Sequence, residues 1–284
     1  MRVAPIKELT LQAARIRRSV LATLVDRTYG HVGGSMSIVE VLAVLYGGQV
    51  RYRPSQPDWS GRDYVVLSKG HSGPALYSTL ALAGYFPTDW LTTLNDNGTR
   101  LPSHPDRLKT PGVDATTGSL GQGISVAAGI ALGLQLEGTD QQVFLIAGDG
   151  ELNEGQCWEA FQFIASRPLD NLIVYIDHNK RQLDGFVEGI IKPFDIAAKM
   201  EAFGFYTQLV DGADVSAIWD ATERAREVRG RARAIVLDTV KGQGIRYFED
   251  LVENHSVRFG AADYQAAESA LAELDQTIAE LEGK

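Results

Sequence analysis

A single cysteine, Cys157, in 284 residues leaves no partner for an intrachain disulfide and too few thiolates for a cysteine-based zinc cage. No apolar run approaches the roughly 18–20 residues needed to cross a bilayer. The opening Met1-Arg2-Val3-Ala4-Pro5-Ile6-Lys7 lacks the basic-then-apolar layout of a secretion signal. Basic residues are outnumbered, 27 Lys and Arg against 36 Asp and Glu, for a formal charge of −9. That balance argues against a dedicated nucleic-acid or anionic-membrane surface while leaving room for a local phosphate pocket. Internal repeats, low-complexity tracts and a clear domain linker are missing as well. What remains is an ordinary globular composition, 44% apolar and 22% charged, long enough for one large α/β domain or two small ones. Without a linker, one domain over residues 1–284 is the expectation, and a cytoplasmic enzyme or binding protein the default class.

The apolar pattern changes period along the chain. Residues 9–26 read as a helix with a wide apolar face, including Leu11, Ala14, Ile16, Val20 and Leu24. Four short β-rich runs follow: Tyr64-Val65-Val66-Leu67, Val143-Phe144-Leu145-Ile146-Ala147, Leu172-Ile173-Val174-Tyr175-Ile176 and Ala234-Ile235-Val236-Leu237. Each is apolar on both alternating faces, as a strand covered on both sides of a parallel sheet must be. Helical stretches lie between them; one is expected to open at an Asp214 cap and stop at Gly230. Strand–helix alternation predicts a doubly wound, mostly parallel sheet with helices on both faces. Residues 94–118, rich in Asn, Asp, Thr, Gly and Pro, read as a long loop, either functional or disordered. Residues 261–283 read as an Ala/Glu-rich amphipathic helix for packing or subunit contact.

Ligands in open α/β sheets bind beyond the carboxyl ends of the strands. Two strand ends carry suitable chemistry. Gly148-Asp149-Gly150-Glu151 follows one buried run, with glycines that let a ligand approach and a carboxylate at the tip. Asn179 follows the next run, and 28 residues separate it from Gly150, room for one strand–helix–strand unit. The two tips can then meet. A carboxylate, an amide oxygen and a backbone carbonyl, completed by ligand phosphate oxygens and water, suit octahedral Mg²⁺ carrying a diphosphate.

This pairing resembles the diphosphate-and-metal signature of thiamine diphosphate enzymes. Gly30-His31-Val32-Gly33-Gly34-Ser35, Ser68-Lys69-Gly70-His71-Ser72, Pro102-Ser103-His104-Pro105 and Gly118-Ser119-Leu120-Gly121-Gln122-Gly123 resemble transketolase blocks, in that order, and the similarity runs to about Gly260. The resemblance implies thiamine diphosphate with Mg²⁺ (or Ca²⁺), held by Asp149, Asn179 and the backbone carbonyl of Arg181. It implies cofactor contacts at His71, Gly121, Gly123, Gly148, Gly150, Glu151, Asn179, Lys241 and His255. It makes His31, His71, His104 and His255 the catalytic histidines, while His178 reads as a structural neighbour of Asn179. Lys241 reads equally well as a solvated loop lysine. Glu154 and Glu159 resemble subunit-contact glutamates that couple paired sites, and Cys157 reads as packing.

In this family a second α/β domain supplies the glutamate that contacts the aminopyrimidine. The sequence reaches Lys284 without one, so the expectation is a split enzyme: an N-terminal diphosphate-binding subunit working with a separate pyrimidine-binding subunit, as α₂β₂, on sugar phosphates. The activity implied is transfer of a two-carbon ketol unit from a ketose phosphate to an aldose. The alternatives are a decarboxylating thiamine enzyme, of the 1-deoxyxylulose-5-phosphate synthase or 2-oxoacid dehydrogenase type, and a non-catalytic scaffold with relic site residues. Neutral imidazoles suit the proton transfers of ketol chemistry.

Overall fold

Five parallel strands form the sheet of the computed structural model, which describes residues 2–183 and 185–283. They are β1 (Tyr64–Leu67), β2 (Val143–Gly148), β3 (Leu172–His178), β4 (Tyr206–Asp211) and β5 (Arg233–Asp238), in the spatial order β1-β2-β3-β5-β4. Asp184, within the segment that follows Asn179, lies outside the described residues. The longer helices are α1 (Ile6–Arg27), α2 (Val39–Val44), α3 (Gly73–Leu82), α4 (Gln122–Leu136), α5 (Gly155–Ser166), α6 (Ile196–Ala202), α7 (Val215–Glu227) and α8 (Ala261–Glu282).

The two-faced apolar runs do what their alternation requires. Phe144, Ile146, Ile173, Tyr175, Ile235 and Leu237 enter one core with α1, α2, α3, α7 and α8. Val143, Leu145, Leu172, Val174, Ala234 and Val236 enter a second core with α4, α5 and α6. Steps β2 to β3 and β3 to β4 carry α5 and α6 on one face. The return step from the edge strand β4 to β5 carries α7 on the other, as a fixed crossover hand demands when direction reverses.

The sequence reading misses β4. Its run Tyr206-Thr207-Gln208-Leu209-Val210-Asp211 sits at the sheet edge, half-buried, with Leu209 61% exposed, so it lacks a two-sided apolar signature. Helix α7 is capped by Asp214, whose carboxylate accepts from the Ser216 amide, as expected. It ends at Glu227 rather than Gly230, because Val228 is already extended. Residues 94–118 contain no helix or strand, in keeping with their composition. They are pinned instead by side chains: Tyr77 Oη donates to the Pro102 carbonyl, Thr117 Oγ1 to the Leu67 carbonyl, and Val65 N–H to Asp114. Helix α8 lies against α1, joined by Arg18–Asp275 and Arg15–Glu282 ion pairs.

Candidate active site

Strands β2 and β3 are neighbours, with Gly148 in register with Asp177. Asp149 and Asn179 therefore emerge side by side from adjacent strand ends, both nearly fully buried. One Asp149 oxygen, Oδ2, accepts from the Lys180 amide (2.6 Å) and faces His178 Nδ1 (3.0 Å); the other, Oδ1, accepts from the Gly150 amide (2.8 Å). Lys180 adopts a left-handed conformation (φ 65°), which turns the chain sharply and aims its amide at that carboxylate. His178 thus stands beside the acidic tip, and Asn179 Oδ1 accepts from the Arg181 amide at 3.1 Å.

Above these tips lies a cleft of about 260 Å³. Its lining includes His31, Lys69, His71, His104, Gly148, Asp149, Gly150, Glu151, Asn179, Arg181, Lys241 and His255. Four histidines from four separate segments meet there. The His31 ring lies 5.5 Å from His71, 6.2 Å from His104 and 5.2 Å from His255, and His71 lies 4.8 Å from His255. The long loop at 94–118 delivers His104 against Gly118, whose own backbone (φ 154°) a side chain rarely adopts and whose Cβ would lie 3.2 Å from the imidazole.

Burial and neighbouring positive charge keep three of these imidazoles, His31, His71 and His255, neutral. Burial, then His104 and Lys241, pulls His31 down to about 4. Burial, then Lys241 and His31, pulls His255 down to about 3. His71 is held well below its ordinary value by burial, then by Lys69. Lys241 is lowered to about 8 by burial and the nearby Lys69, so it stays largely protonated at neutral pH. As an ammonium it is a donor only, and its Nζ lies 3.1 Å from His255 Nδ1. That contact makes Nδ1 the acceptor and leaves the proton on Nε2.

The glycine turns expected to serve an anion already serve a carboxyl group of the protein. Glu151 Oε1 accepts from Ser68 Oγ and the Gly121 amide (2.8 Å), and Oε2 from the Gly148 amide (3.1 Å). Burial raises the Glu151 carboxyl, and these bonds oppose the rise. Gly123 meets Ser68 so closely that a Cβ would lie 2.6 Å from the Ser68 Cα, a packing constraint behind the cleft. Cys157 is fully buried, donates to the Glu151 carbonyl (3.1 Å), and is pushed up to about 12 by burial, consistent with packing. Glu154 and Glu159 are exposed on α5 and its entry.

Sequence reasoning misses Lys69 and Asp177. Lys69 directly precedes the Gly70-His71 pair, and Asp177 stands two residues before Asn179; both belong to motif segments, yet only the fold shows that they form a buried ion pair. Together with Lys241 and Arg181, Lys69 gathers positive charge along the wall of the cleft.

Comparison with known proteins identifies the family. Residues 9–277 match the family described as "Transketolase, thiamine diphosphate binding domain". The chain is 45% identical to the 6-deoxy-6-sulfo-D-fructose transketolase subunit of Clostridium sp. (strain MSTE9) over 95% of this chain and 97% of that one. It is 38% identical to an apulose-4-phosphate transketolase subunit of Actinobacillus succinogenes, over 87% of this chain and 90% of that one. A solved transketolase from Pichia stipitis superposes with a TM-score of 0.85 at 27% identity, covering 98% of this chain but 44% of that one. The chain thus spans less than half of that transketolase, and nearly all of the two transketolase subunits. It belongs to the transketolase family, through its thiamine diphosphate binding domain.

Proposed function

We propose that this chain holds thiamine diphosphate and a divalent cation, Mg²⁺ or Ca²⁺, across the ends of β2 and β3, and transfers a two-carbon ketol unit from a ketose phosphate to an aldose. The observation that carries this reading is the meeting of four histidines over the Asp149–Asn179 pair in one cleft. The residues fit the group. The acidic and amide oxygens of Asp149 and Asn179, with the Arg181 carbonyl, are hard donors of the kind Mg²⁺ takes. Among the described residues no three of His, Cys, Asp and Glu form a self-sufficient cage, so a cation here needs oxygens from a bound diphosphate. Lys69 and Lys241 would face that diphosphate, and Lys241, destabilised as an ammonium by burial and by Lys69, gains a counter-charge from it.

Thiamine diphosphate, when bound, supplies the electron sink that the protein lacks. The chain's own residues do the rest. His31 and His71 are neutral at pH 7 and can each accept a hydroxyl proton and return it. His255, with Nδ1 held by Lys241, presents Nε2–H as a donor to a sugar hydroxyl. His104, carried on the long loop, closes the ring of four. This many imidazoles favour ketol transfer, with its paired hydroxyl proton movements, over decarboxylation. The relatives' names point to donors with an anionic end group, a sulfonate or a phosphate.

The pyrimidine-binding side comes in this reading from a separate subunit, in an α₂β₂ assembly in which the exposed Glu154 and Glu159 meet a second copy. No helix among the described residues is long and apolar enough to cross a membrane, and we place the complex in the cytoplasm. The test mixes the purified chain, thiamine diphosphate, Mg²⁺, a ketose phosphate and an aldose, with and without the partner subunit. Transfer is expected only with the partner, and Asp149→Ala abolishes it along with cation-dependent cofactor binding. Full turnover by the chain alone overturns the two-component reading.

A further inference from the structure

Four segments that frame the cleft are tied to one side chain, Asp177, which has no solvent exposure. Its Oδ2 accepts from Ser37 Oγ (2.8 Å), Asn179 Nδ2 (2.7 Å) and Lys69 Nζ, and its Oδ1 accepts from Thr239 Oγ1. Ser37 follows the His31 segment, Lys69 precedes His71, Thr239 precedes Lys241, and Asn179 is the strand-end amide itself. With a lysine and three other donors gathered on its two oxygens, the group is a fixed acceptor with no donor to offer.

That property matters for Asn179. An amide carries an oxygen at one end and an NH₂ at the other, nearly the same in shape. A flipped Asn179 would set its oxygen against the Asp177 carboxylate and its NH₂ toward the place where a cation is to sit. With Nδ2 committed to Asp177, Oδ1 is the only end that can face outward, where it lies within reach of the Arg181 amide. We infer that Asp177 is a positioning residue: by holding Asn179 Nδ2 it aims the Asn179 oxygen at the cation. The inference rests on the cofactor reading above.

The test is a double-mutant cycle on the chain in complex with its partner subunit, read by calorimetric titration of thiamine diphosphate with and without Mg²⁺, folding being checked by circular dichroism. Asp177→Asn is expected to weaken Mg²⁺-dependent cofactor affinity about 10- to 100-fold, the usual loss when an outer-shell partner is removed. Combined with Asn179→Ala, the same substitution should add little, because no amide remains to be aimed. An equal loss with and without Asn179→Ala, or no loss from Asp177→Asn alone, overturns the inference. Where Asp177→Asn fails to fold, the pair Lys69→Gln with Asp177→Asn leaves no unpaired buried charge and takes its place: Asn179→Ala should then cost less affinity in that background than in the parent, and an equal cost overturns the inference. Unmutated complex that binds no thiamine diphosphate with Mg²⁺ sinks the cofactor reading itself, a result distinct from a cycle that merely sums.

Discussion

Gly33 shows how little room a single position leaves in this site. It lies at the start of a short helical turn after His31, and its amide donates to the Asn254 carbonyl at 2.8 Å. A Cβ there would sit 2.6 Å from Asn254 Oδ1, 2.7 Å from Lys241 Cγ and 2.8 Å from the Asn254 carbonyl oxygen. Neither backbone nor a fully buried Asn254 can step aside cheaply, since Asn254 Nδ2 also donates to the Lys241 and Phe248 carbonyls. Gly33→Ala therefore forces apart the segments that hold Lys241 and His255. The expected cost is about 1–3 kcal/mol of stability, the range for overpacking a tight contact, together with weakened cofactor binding. Urea unfolding and calorimetry measure the two; an alanine variant as stable as the parent would show that the loop yields freely.

At the scale of elements, what the sequence discloses divides along a physical line. The four strands covered on both faces are legible because such burial demands an unbroken apolar run. β4 is not, because an edge strand with one wet face follows no such demand. The strand-end pair Asp149 and Asn179 is legible from spacing alone, since one strand–helix–strand unit returns the chain to the neighbouring strand. The histidine cluster is legible only through resemblance, because rings from four segments meet by tertiary folding. Asp177 and Lys69 stay hidden for a related reason: their roles arise from each other, and nothing in a single segment announces a partner 108 residues away. Helix α7 offers a clean test of what local sequence does control. Asp214 is exposed and its carboxylate caps the Ser216 amide. Asp214→Ala should cost about 1 kcal/mol while leaving cofactor affinity untouched, because the cap lies in no part of the cleft lining. A loss of affinity in that variant would mean α7 is coupled to the site.

Across the whole molecule, a cluster of neutral imidazoles among lysines makes stability depend on pH in a defined window. In the unfolded chain a histidine titrates near 6.5. In the folded protein His31 titrates at about 4 and His255 at about 3, with His71 also well below its ordinary value. Above pH 6.5 these groups are neutral in both states and contribute no slope. As pH falls from 6.5 toward 4, the unfolded chain takes up protons that the folded one refuses, so the folded state loses stability. Asp114 works against this trend. Burial, opposed by the Val65 amide and Arg62, raises its carboxyl to about 6, so between about 6 and 4 the folded state binds a proton that the unfolded chain does not. The two effects separate by mutation. The urea midpoint of the parent should fall between pH 7 and pH 5, and the double substitution His31→Asn with His255→Asn should flatten that fall whatever it does to stability at pH 7. A variant that keeps the parent's slope would show that the acid sensitivity arises outside the cleft, and that these imidazoles take up protons as readily in the folded protein as in the unfolded chain.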